Sequence, residues 1–370
     1  MTLSKKKVND ELAALAADVA RLSKLLTKER ESIPAAYLKD TGLRKAYLSY
    51  YLPSNLPKIH LPLNELSLHP KSMLAKERLR ILDVGSGPGS AMLGAMKFFA
   101  RLENPPFLEF TAIDHVAENL KDAVALYASY RERCGLDASL HAVKTSIEKA
   151  EPHLIGHYDL IILSNVLNEL FHRDEERTAK RAGILHHIMR RFLADDGSLI
   201  VIEPALHDTS REMLLVRDSL VTQGFRVYSP CLMNEGCPAL VNPKDWCHED
   251  MPWEPPAVIR EIDDRAGLRK DSLKFSYLVV RKDGLSLADV YGAHAFRIVS
   301  EPLVSKGKIE FYICGKGGRR LVTRLDKDTS PANDAYRALE RGDIVRFQEL
   351  RDEGKRYRVG KDTVVNAKKA

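Results

Sequence analysis

One run of ten residues limits the fold of this 370-residue chain more than any other feature. Ile81–Ser90 (ILDVGSGPGS) passes from apolar residues into alternating glycines and then into a segment with helical spacing. Glycine permits a tight turn and a close approach of backbone to a ligand, and a helix N-terminus offers unpaired N–H groups to an anion. The run therefore predicts a strand, a ligand-binding turn and a helix.

The same alternation of strand and helix continues along the chain and is typical of a mainly parallel sheet. Predicted strands cover 79–84, 107–113, 139–144, 158–164, 198–203, 225–229 and 273–281, and predicted helices cover 89–101, 117–133, 174–193 and 209–222. Apolar residues at helical spacing over 6–30 predict a helical N-terminal extension. Short β segments at 295–303, 308–314, 319–325, 343–348 and 355–359 predict a small barrel of the oligonucleotide-binding (OB) type.

We therefore predict an α/β, Rossmann-like domain over 76–284 with a cysteine-rich insertion at 230–270. A helical extension (1–75) precedes it and a basic, β-rich OB-like domain (285–370) follows it. No stretch approaches the roughly 18 consecutive apolar residues of a membrane span, and no secretory signal is visible at the N-terminus. We expect a cytoplasmic protein that is monomeric when free.

The positive charge is concentrated in the last of these domains. Residues 285–370 contain 18 Lys and Arg against 12 Asp and Glu, whereas the rest of the chain is balanced. A basic segment attached to a neutral body suggests a module that binds a polyanion, and RNA is the obvious one; a solvated surface without a partner is the alternative. The predicted phosphate contacts are Lys306, Lys308, Lys316, Arg319, Arg320 and Arg324.

Two features separate the glycine run from a dinucleotide-binding fingerprint. Asp83 stands at the end of the strand, and the spacing is D-x-G-x-G-x-G in place of G-x-G-x-x-G. The run resembles the first motif of class I S-adenosylmethionine (SAM)-dependent methyltransferases, in which such an acid lies near the methionine amino group. Asp114, at the end of the second strand, is a candidate for the ribose hydroxyls, or alternatively a helix cap. The predicted SAM contacts are Asp83, Gly85, Ser86, Gly87, Gly89, Asp114, Ser146 and Ser164.

In a methyltransferase, catalytic residues are expected at the end of the fourth strand. The residues at that position here match no catalytic signature. Ser164–Leu170 (SNVLNEL) lacks the Asn/Asp-Pro-Pro-aromatic turn of enzymes that methylate exocyclic base nitrogens, and no cysteine follows the strand. Asn165, Asn168 and Glu169 are the polar candidates; the start of a helix is an equal alternative. SAM binding is better supported than methyl transfer.

Four of the five cysteines can be read as one metal site. Cys231, Cys237 and Cys247 lie in a proline-rich segment, and Cys314 lies in a predicted barrel strand. Four thiolates suit zinc or an iron–sulfur cluster, and spacing alone does not choose between them. His248 could replace Cys314 as the fourth ligand, and four unrelated free cysteines are the remaining alternative. We expect Cys134 to behave as a small buried hydrophobe.

A radical SAM enzyme is excluded by the sequence. The compact C-x3-C-x2-C loop is absent, and the glycine motif specifies a Rossmann-like sheet where radical SAM enzymes use a partial barrel. A fourth thiolate would also fill the open coordination position which that chemistry needs.

Taken together, these motifs resemble the methyltransferase-like proteins associated with the small ribosomal subunit, a family known from mitochondria and with bacterial relatives. The runs that carry the resemblance are 82–90, 164–170, Ile202–Pro204 and the Pro-Cys and Trp-Cys-His runs within 230–248. The resemblance implies a 4Fe-4S cluster on Cys231, Cys237, Cys247 and Cys314. It also implies SAM binding, and a role in assembly of the small ribosomal subunit through its rRNA.

Three functions remain open at this point. The first is an active SAM-dependent rRNA methyltransferase. The second is an assembly factor that uses SAM and the cluster as structural ligands. The third, a methyltransferase of proteins or small molecules with a zinc site, is disfavoured by the basic C-terminal domain.

Overall fold

The computed structural model describes residues 5–34, 36–69, 71, 73–292 and 294–369. These residues form two compact units, each assembled from separate stretches of chain. Unit 1 contains the described residues of 1–63, 74–177 and 251–273, and unit 2 contains those of 64–73, 178–250 and 274–370. The predicted division into three consecutive domains stays a prediction.

The helices match the predicted ones closely in the N-terminal two thirds of the chain. They are α1 (Lys5–Thr27), α2 (Thr41–Ala46), α3 (Leu52–Asn55), α4 (His60–Ser67), α5 (Ser90–Phe99), α6 (Ala117–Cys134), α7 (Arg177–Phe192), α8 (His207–Thr222), α9 (Ala257–Ala266) and α10 (Leu287–Tyr291). Helix α9 lies inside the predicted insertion and was not predicted, because the prolines before it (Pro252, Pro255 and Pro256) obscure its apolar spacing. It ends at Gly267 in the left-handed conformation, a common helix stop.

The strands of the α/β part also follow the prediction. They are β1 (Arg78–Val84), β2 (Phe107–Asp114), β3 (Ala138–Lys144), β4 (Tyr158–Ser164), β5 (Leu193–Pro204), β6 (Arg226–Ser229), β7 (Glu249–Pro252) and β8 (Ser272–Arg281). Unit 1 has four parallel strands in the order β3-β2-β1-β4. In unit 2, β8 runs antiparallel to both β5 and β6. The predicted α/β, Rossmann-like fold is confirmed, with the strand order that places a ligand beyond the carboxyl ends of β1 and its neighbours.

The N-terminal extension packs by the apolar stripe that its sequence predicted. Val19 and Leu22 of α1 are fully buried against Leu43 of α2 and against Ile259 and Ile262 of α9. Burying side chains of this size contributes roughly 1.5–3 kcal/mol each. The extension is therefore a structural part of unit 1.

The C-terminal strands form a second sheet with an apolar core of its own. They are β9 (Ala295–Ile298), β10 (Leu303–Ser305), β11 (Lys308–Gly315), β12 (Gly318–Leu325), β13 (Ile344–Gln348), β14 (Arg351–Asp352), β15 (Arg356–Val359) and β16 (Val364–Lys368). Their order is β14-β15-β12-β11-β9-β13-β16, with β10 paired to β11. The predicted strand 295–303 is in fact two strands, β9 and β10, separated by Val299–Pro302.

No helix in the described ranges has the length and hydropathy needed to cross a lipid bilayer.

Candidate cofactor and metal sites

The glycine turn after β1 has the geometry expected of a ligand-binding loop. Gly85, Gly87 and Gly89 all have positive φ, at 62°, 53° and 88°. A Cβ on Gly85 would lie 2.6 Å from Val166, which follows β4. Glycine is therefore required at Gly85 both for its conformation and for this close approach.

Two predicted acids lie at this turn. The Gly87 N–H donates to Asp114 Oδ2 (2.9 Å), and the Val116 N–H donates to Asp114 Oδ1 (2.8 Å). Asp83 accepts a hydrogen bond from the Met92 N–H in the first turn of α5 (3.3 Å). Burial raises the pKa of Asp83 to about 7, and the nearby Asp114 carboxylate acts in the same direction. An uncompensated charge at Asp83 is costly, so the position favours a cationic ligand group.

The other predicted SAM contacts lie at the same edge of the unit 1 strands. Val84 of β1 pairs with Ile113 of β2 and with Leu163 of β4, so Ser164 stands next to the turn. The Thr145 N–H donates to the Asp114 carbonyl (3.0 Å), which brings the segment containing Ser146 to the end of β2.

The loop after β4 contains two residues in the left-handed region, which few side chains adopt. Asn165 has φ 58° and Phe171 has φ 55°. Asparagine tolerates this region, whereas a bulky aromatic residue there is an outlier. Strained positions of this kind cluster at functional sites. Asn168 and Glu169, the other catalytic candidates, lie between these two positions.

The N-terminal segment brings residues to this loop that the sequence did not identify as functional. Arg30 donates a hydrogen bond to Asn168 Oδ1. Burial raises the pKa of Tyr37 well above its usual value, and the carboxylates of Glu169 and Asp114 raise it further. Tyr47 is partly buried and lies near Asn55 and Ser90. The one feature of the sequence that could have indicated a functional role is the tyrosine-rich composition of 37–57. Composition gives no spacing that would predict contact with the glycine turn, which lies more than thirty residues further along the chain.

The four predicted metal-binding cysteines line a single cavity in unit 2. Cys231, Cys237 and Cys247 come from the loops after β6, and Cys314 comes from β11. All four thiols are free of disulfides. Cys134, the fifth, lies at the end of α6 in unit 1. Four cysteines that are far apart in the sequence therefore line one cavity.

Helix α8 holds the cysteine-bearing loops by their backbone carbonyls. Arg211 donates to the carbonyls of Ala239 (3.0 Å) and Asn242 (2.9 Å), which lie between Cys237 and Cys247. Arg217 donates to the carbonyl of Met233 (2.8 Å), between Cys231 and Cys237. Arginine suits this task because its planar guanidinium presents five N–H donors in a fixed arrangement. Neither arginine was identified from the sequence.

Burial opposes ionisation of the thiols. It raises the pKa of Cys237 to about 11 and that of Cys314 to about 12, and Cys231 raises both further. The pKa of Cys247 is raised well above its usual value for the same reasons. Thiols so placed become thiolates only when a cation compensates them, as a coordinated metal does.

Three buried polar atoms of the residues that line this cavity have no hydrogen-bond partner among the described residues. They are Arg217 Nε, Arg319 Nε and His248 Nδ1. The His248 ring stacks on Trp246 with centroids 4.1 Å apart. Within the described part of the chain, no group of three or more His, Cys, Asp and Glu side chains is arranged to hold a metal ion.

The structure excludes one of the predicted phosphate contacts in the basic C-terminal domain and places three others in ion pairs. Arg324 is only 4% exposed and donates to the Asn333 carbonyl (3.0 Å), so it cannot reach RNA. Arg320 pairs with Asp352, Lys308 with Glu310, and Arg319 with Asp245. Lys306 and Lys316 are exposed, so their predicted role in phosphate contacts stays a prediction. Sequence spacing does not show which arginines form ion pairs or hydrogen bonds within the protein.

Solved methyltransferase structures resemble the chain only distantly. An rRNA methylase from Streptococcus thermophilus is 12% identical, with 60% of this chain and 95% of that chain covered and a TM-score of 0.32. A putative class I SAM-dependent methyltransferase from Listeria monocytogenes is 13% identical (72% and 78% covered, TM-score 0.38). A putative rRNA methylase from Clostridium thermocellum is 9% identical (60% and 96% covered, TM-score 0.32). No curated protein matches the chain.

The family assignment rests on sequence. A family described as "Mitochondrial small ribosomal subunit Rsm22" matches residues 44–358, which include the glycine turn, the loop after β4 and all four cysteines of the cavity. The match spans well over half of the chain, so this protein belongs to the Rsm22 family of the small ribosomal subunit.

Proposed function

We propose that this protein binds SAM at the glycine turn, carries a 4Fe-4S cluster on Cys231, Cys237, Cys247 and Cys314, and acts on the small ribosomal subunit through its rRNA. The observation that carries the proposal is the meeting of these four sequence-distant thiols at one cavity.

SAM binding is supported by the chemistry of the turn. Asp83 is a buried carboxyl that gains most from a neighbouring cation, and the methionine ammonium of SAM is one. Asp114 and the end of β4 flank the same turn and suit the ribose. When bound, SAM supplies an electrophilic methyl group. The chain's part is to orient it with Gly85, Gly87 and Gly89 and to hold Asn168 and Glu169 nearby.

Four thiolates around one cavity suit either an iron–sulfur cluster or a zinc ion, and the choice of a cluster rests on the family resemblance of the cysteine runs. The residues that line the cavity include buried N–H donors without partners among the described residues, and these suit acceptors such as cluster sulfur atoms. A cluster would cross-link the loops after β6 to β11, and its binding free energy would become folding free energy for those loops.

Ribosome binding is supported by family membership and by the charge of the C-terminal domain. Lys306 and Lys316 are the exposed candidates for phosphate contacts. We expect the protein to act in the cytoplasm and to be monomeric when free.

Methyl transfer to rRNA is the second candidate activity. The strained positions Asn165 and Phe171 beside Asn168 and Glu169 favour it, because strain of this kind is maintained at functional sites. The alternative is an assembly factor for which SAM is a structural ligand.

Mass mapping of rRNA modifications in a deletion strain separates these two. The strain is complemented with wild type or with Asp83→Ala, and subunit assembly is followed by sedimentation. A methyl mark restored only by wild type would establish the enzyme. Defective subunits with all marks present would establish the assembly factor, and normal subunits with all marks present would refute both.

A further inference from the structure

Two arginines that line the cysteine cavity have buried N–H groups without a hydrogen-bond partner among the described residues. Arg217 is 1% exposed, and its Nη atoms donate to Asp218 (2.6 Å) and to the Met233 and Glu235 carbonyls. Its Nε atom is buried without a partner among the described residues. A buried donor left without a partner destabilises the folded state, and a charged group does so more strongly.

Arg319 repeats this arrangement from the C-terminal sheet. Its position in β12 pairs with Cys314 in β11. Its Nη1 atom lies 3.5 Å from Asp245, and its guanidinium lies 4.8 Å from the Tyr312 ring centre. Its Nε atom, too, is buried and has no partner in the described ranges. Two arginines from different elements thus line the cavity, and the buried Nε–H group of each has no partner among the described residues.

We propose that Arg217 and Arg319 donate these Nε–H groups to the sulfur atoms of the cluster, and thereby stabilise its reduced form. The inference rests on the proposed cluster. A 4Fe-4S core with four thiolates is a dianion when oxidised and gains one negative charge on its sulfurs and irons when a one-electron donor reduces it. Charge-assisted hydrogen bonds strengthen as the acceptor becomes more negative, so they favour reduction.

Both arginines are already held by other groups. Asp218 binds Arg217 and also accepts the Cys237 N–H (2.9 Å), so this carboxylate fixes the arginine and a cysteine together. Asp245 binds Arg319 from the loop that leads to Cys247. Each carboxylate pairs with an Nη atom of its arginine, which leaves the Nε–H group to donate to a ligand in the cavity.

The test is an EPR-monitored redox titration of the anaerobically purified full-length protein. Arg319→Met should lower the equilibrium constant for reduction about tenfold, a shift of about 59 mV for one electron. Arg319→Lys, which retains a charge, should shift it less. Arg320→Met is the matched control, because Arg320 pairs with Asp352 and does not line the cavity; its potential should equal that of wild type.

A wild-type measurement covers the case in which the variants do not fold. In protein labelled with ¹⁵N-arginine, electron–nuclear double resonance of the reduced cluster should show coupling to guanidinium nitrogen. Equal potentials for wild type and a loaded Arg319→Met, absence of ¹⁵N coupling, or a cluster that cannot be reduced would overturn this inference alone. Wild-type protein without iron–sulfur absorption would overturn the proposed cluster as well.

Discussion

Arg297 of β9 donates a hydrogen bond to Glu65 of α4, and both side chains are at most 4% exposed. The Tyr277 hydroxyl donates to the other oxygen of the Glu65 carboxylate (2.6 Å). Arg297 Nε donates to the carbonyl of Pro230 (2.8 Å), the residue before Cys231. Arg297 therefore joins the first strand of the C-terminal sheet to α4 through the ion pair and to the start of the cysteine-bearing segment through Pro230.

Arg297→Met should lower the free energy of unfolding by about 3–5 kcal/mol, because it leaves the Glu65 carboxylate buried without its charge partner. Urea denaturation followed by circular dichroism measures the change. Arg320→Met is the control: its exposed pair with Asp352 should contribute no more than about 1 kcal/mol. Equal stability of the two variants would show that the buried pair is unimportant.

Cys314→Ser should abolish iron loading and ribosome association, since it removes the one proposed ligand that comes from the C-terminal sheet. Iron analysis and co-sedimentation with small subunits measure the two effects. Cys134→Ser, which alters the cysteine distant from the cavity in sequence and in a different unit, should leave both unchanged. Normal iron content and subunit binding in Cys314→Ser would refute the cross-link.

SAM affinity should rise with pH through the pKa of Asp83, because the methionine ammonium needs the ionised carboxylate. With that pKa at about 7, affinity should be about tenfold weaker at about pH 5.8 than at about pH 7.2. The raised pKa also means that the native state binds more protons than the unfolded chain between about pH 4 and about pH 7. The contribution of Asp83 to stability in the SAM-free protein therefore falls as pH rises through that window.

Calorimetric titration with SAM at the two pH values tests this prediction. Asp83→Asn should bind more weakly at both and lose the pH dependence. A pH dependence that survives in Asp83→Asn would assign it to another group.

RNA binding should depend on salt through Lys306 and Lys316. For single-stranded RNA each phosphate contact contributes roughly 0.7 to the slope of log affinity against log salt, so the double Ala variant should lose about 1.4. Lys45→Ala, an exposed lysine in α2 of unit 1, should leave the slope unchanged. Filter binding over a salt series gives the slopes, and salt-insensitive binding by wild type would exclude the phosphate contacts.

Gly85→Ala should reduce SAM affinity more than Gly87→Ala does. Both replacements put a Cβ on a left-handed residue, at a cost of about 1–2 kcal/mol. Only the first also forces a contact with Val166, whereas the space around Gly87 is open to 4 Å. Isothermal titration of both variants with SAM compares them, and equal losses would mean that the contact with Val166 has no part in shaping the turn.

The alternation of apolar strands and helices between Arg78 and Arg281 determined the Rossmann-like fold, because the periodicity of burial is a local property of the sequence. The glycine run determined the turn for the same reason. Positive φ at alternate residues depends on the glycines at those positions and not on distant contacts. The Pro-Cys and Trp-Cys-His runs contain three of the cysteines that line the cavity, and the family resemblance added Cys314.

Tertiary structure alone decided which charged side chains are exposed enough to contact RNA and which are held by other residues of the chain. Arg324 and Lys308 look like RNA contacts in sequence, but Asn333 and Glu310 engage them. Arg211 and Arg217 look like ordinary helix residues, yet they hold the cysteine loops. The partners of a long charged side chain are set by which elements pack together, and no local pattern records that. The sequence thus determined the backbone framework and the set of cysteines, whereas packing assigned the arginines to loop carbonyls, to carboxylates and to the cavity.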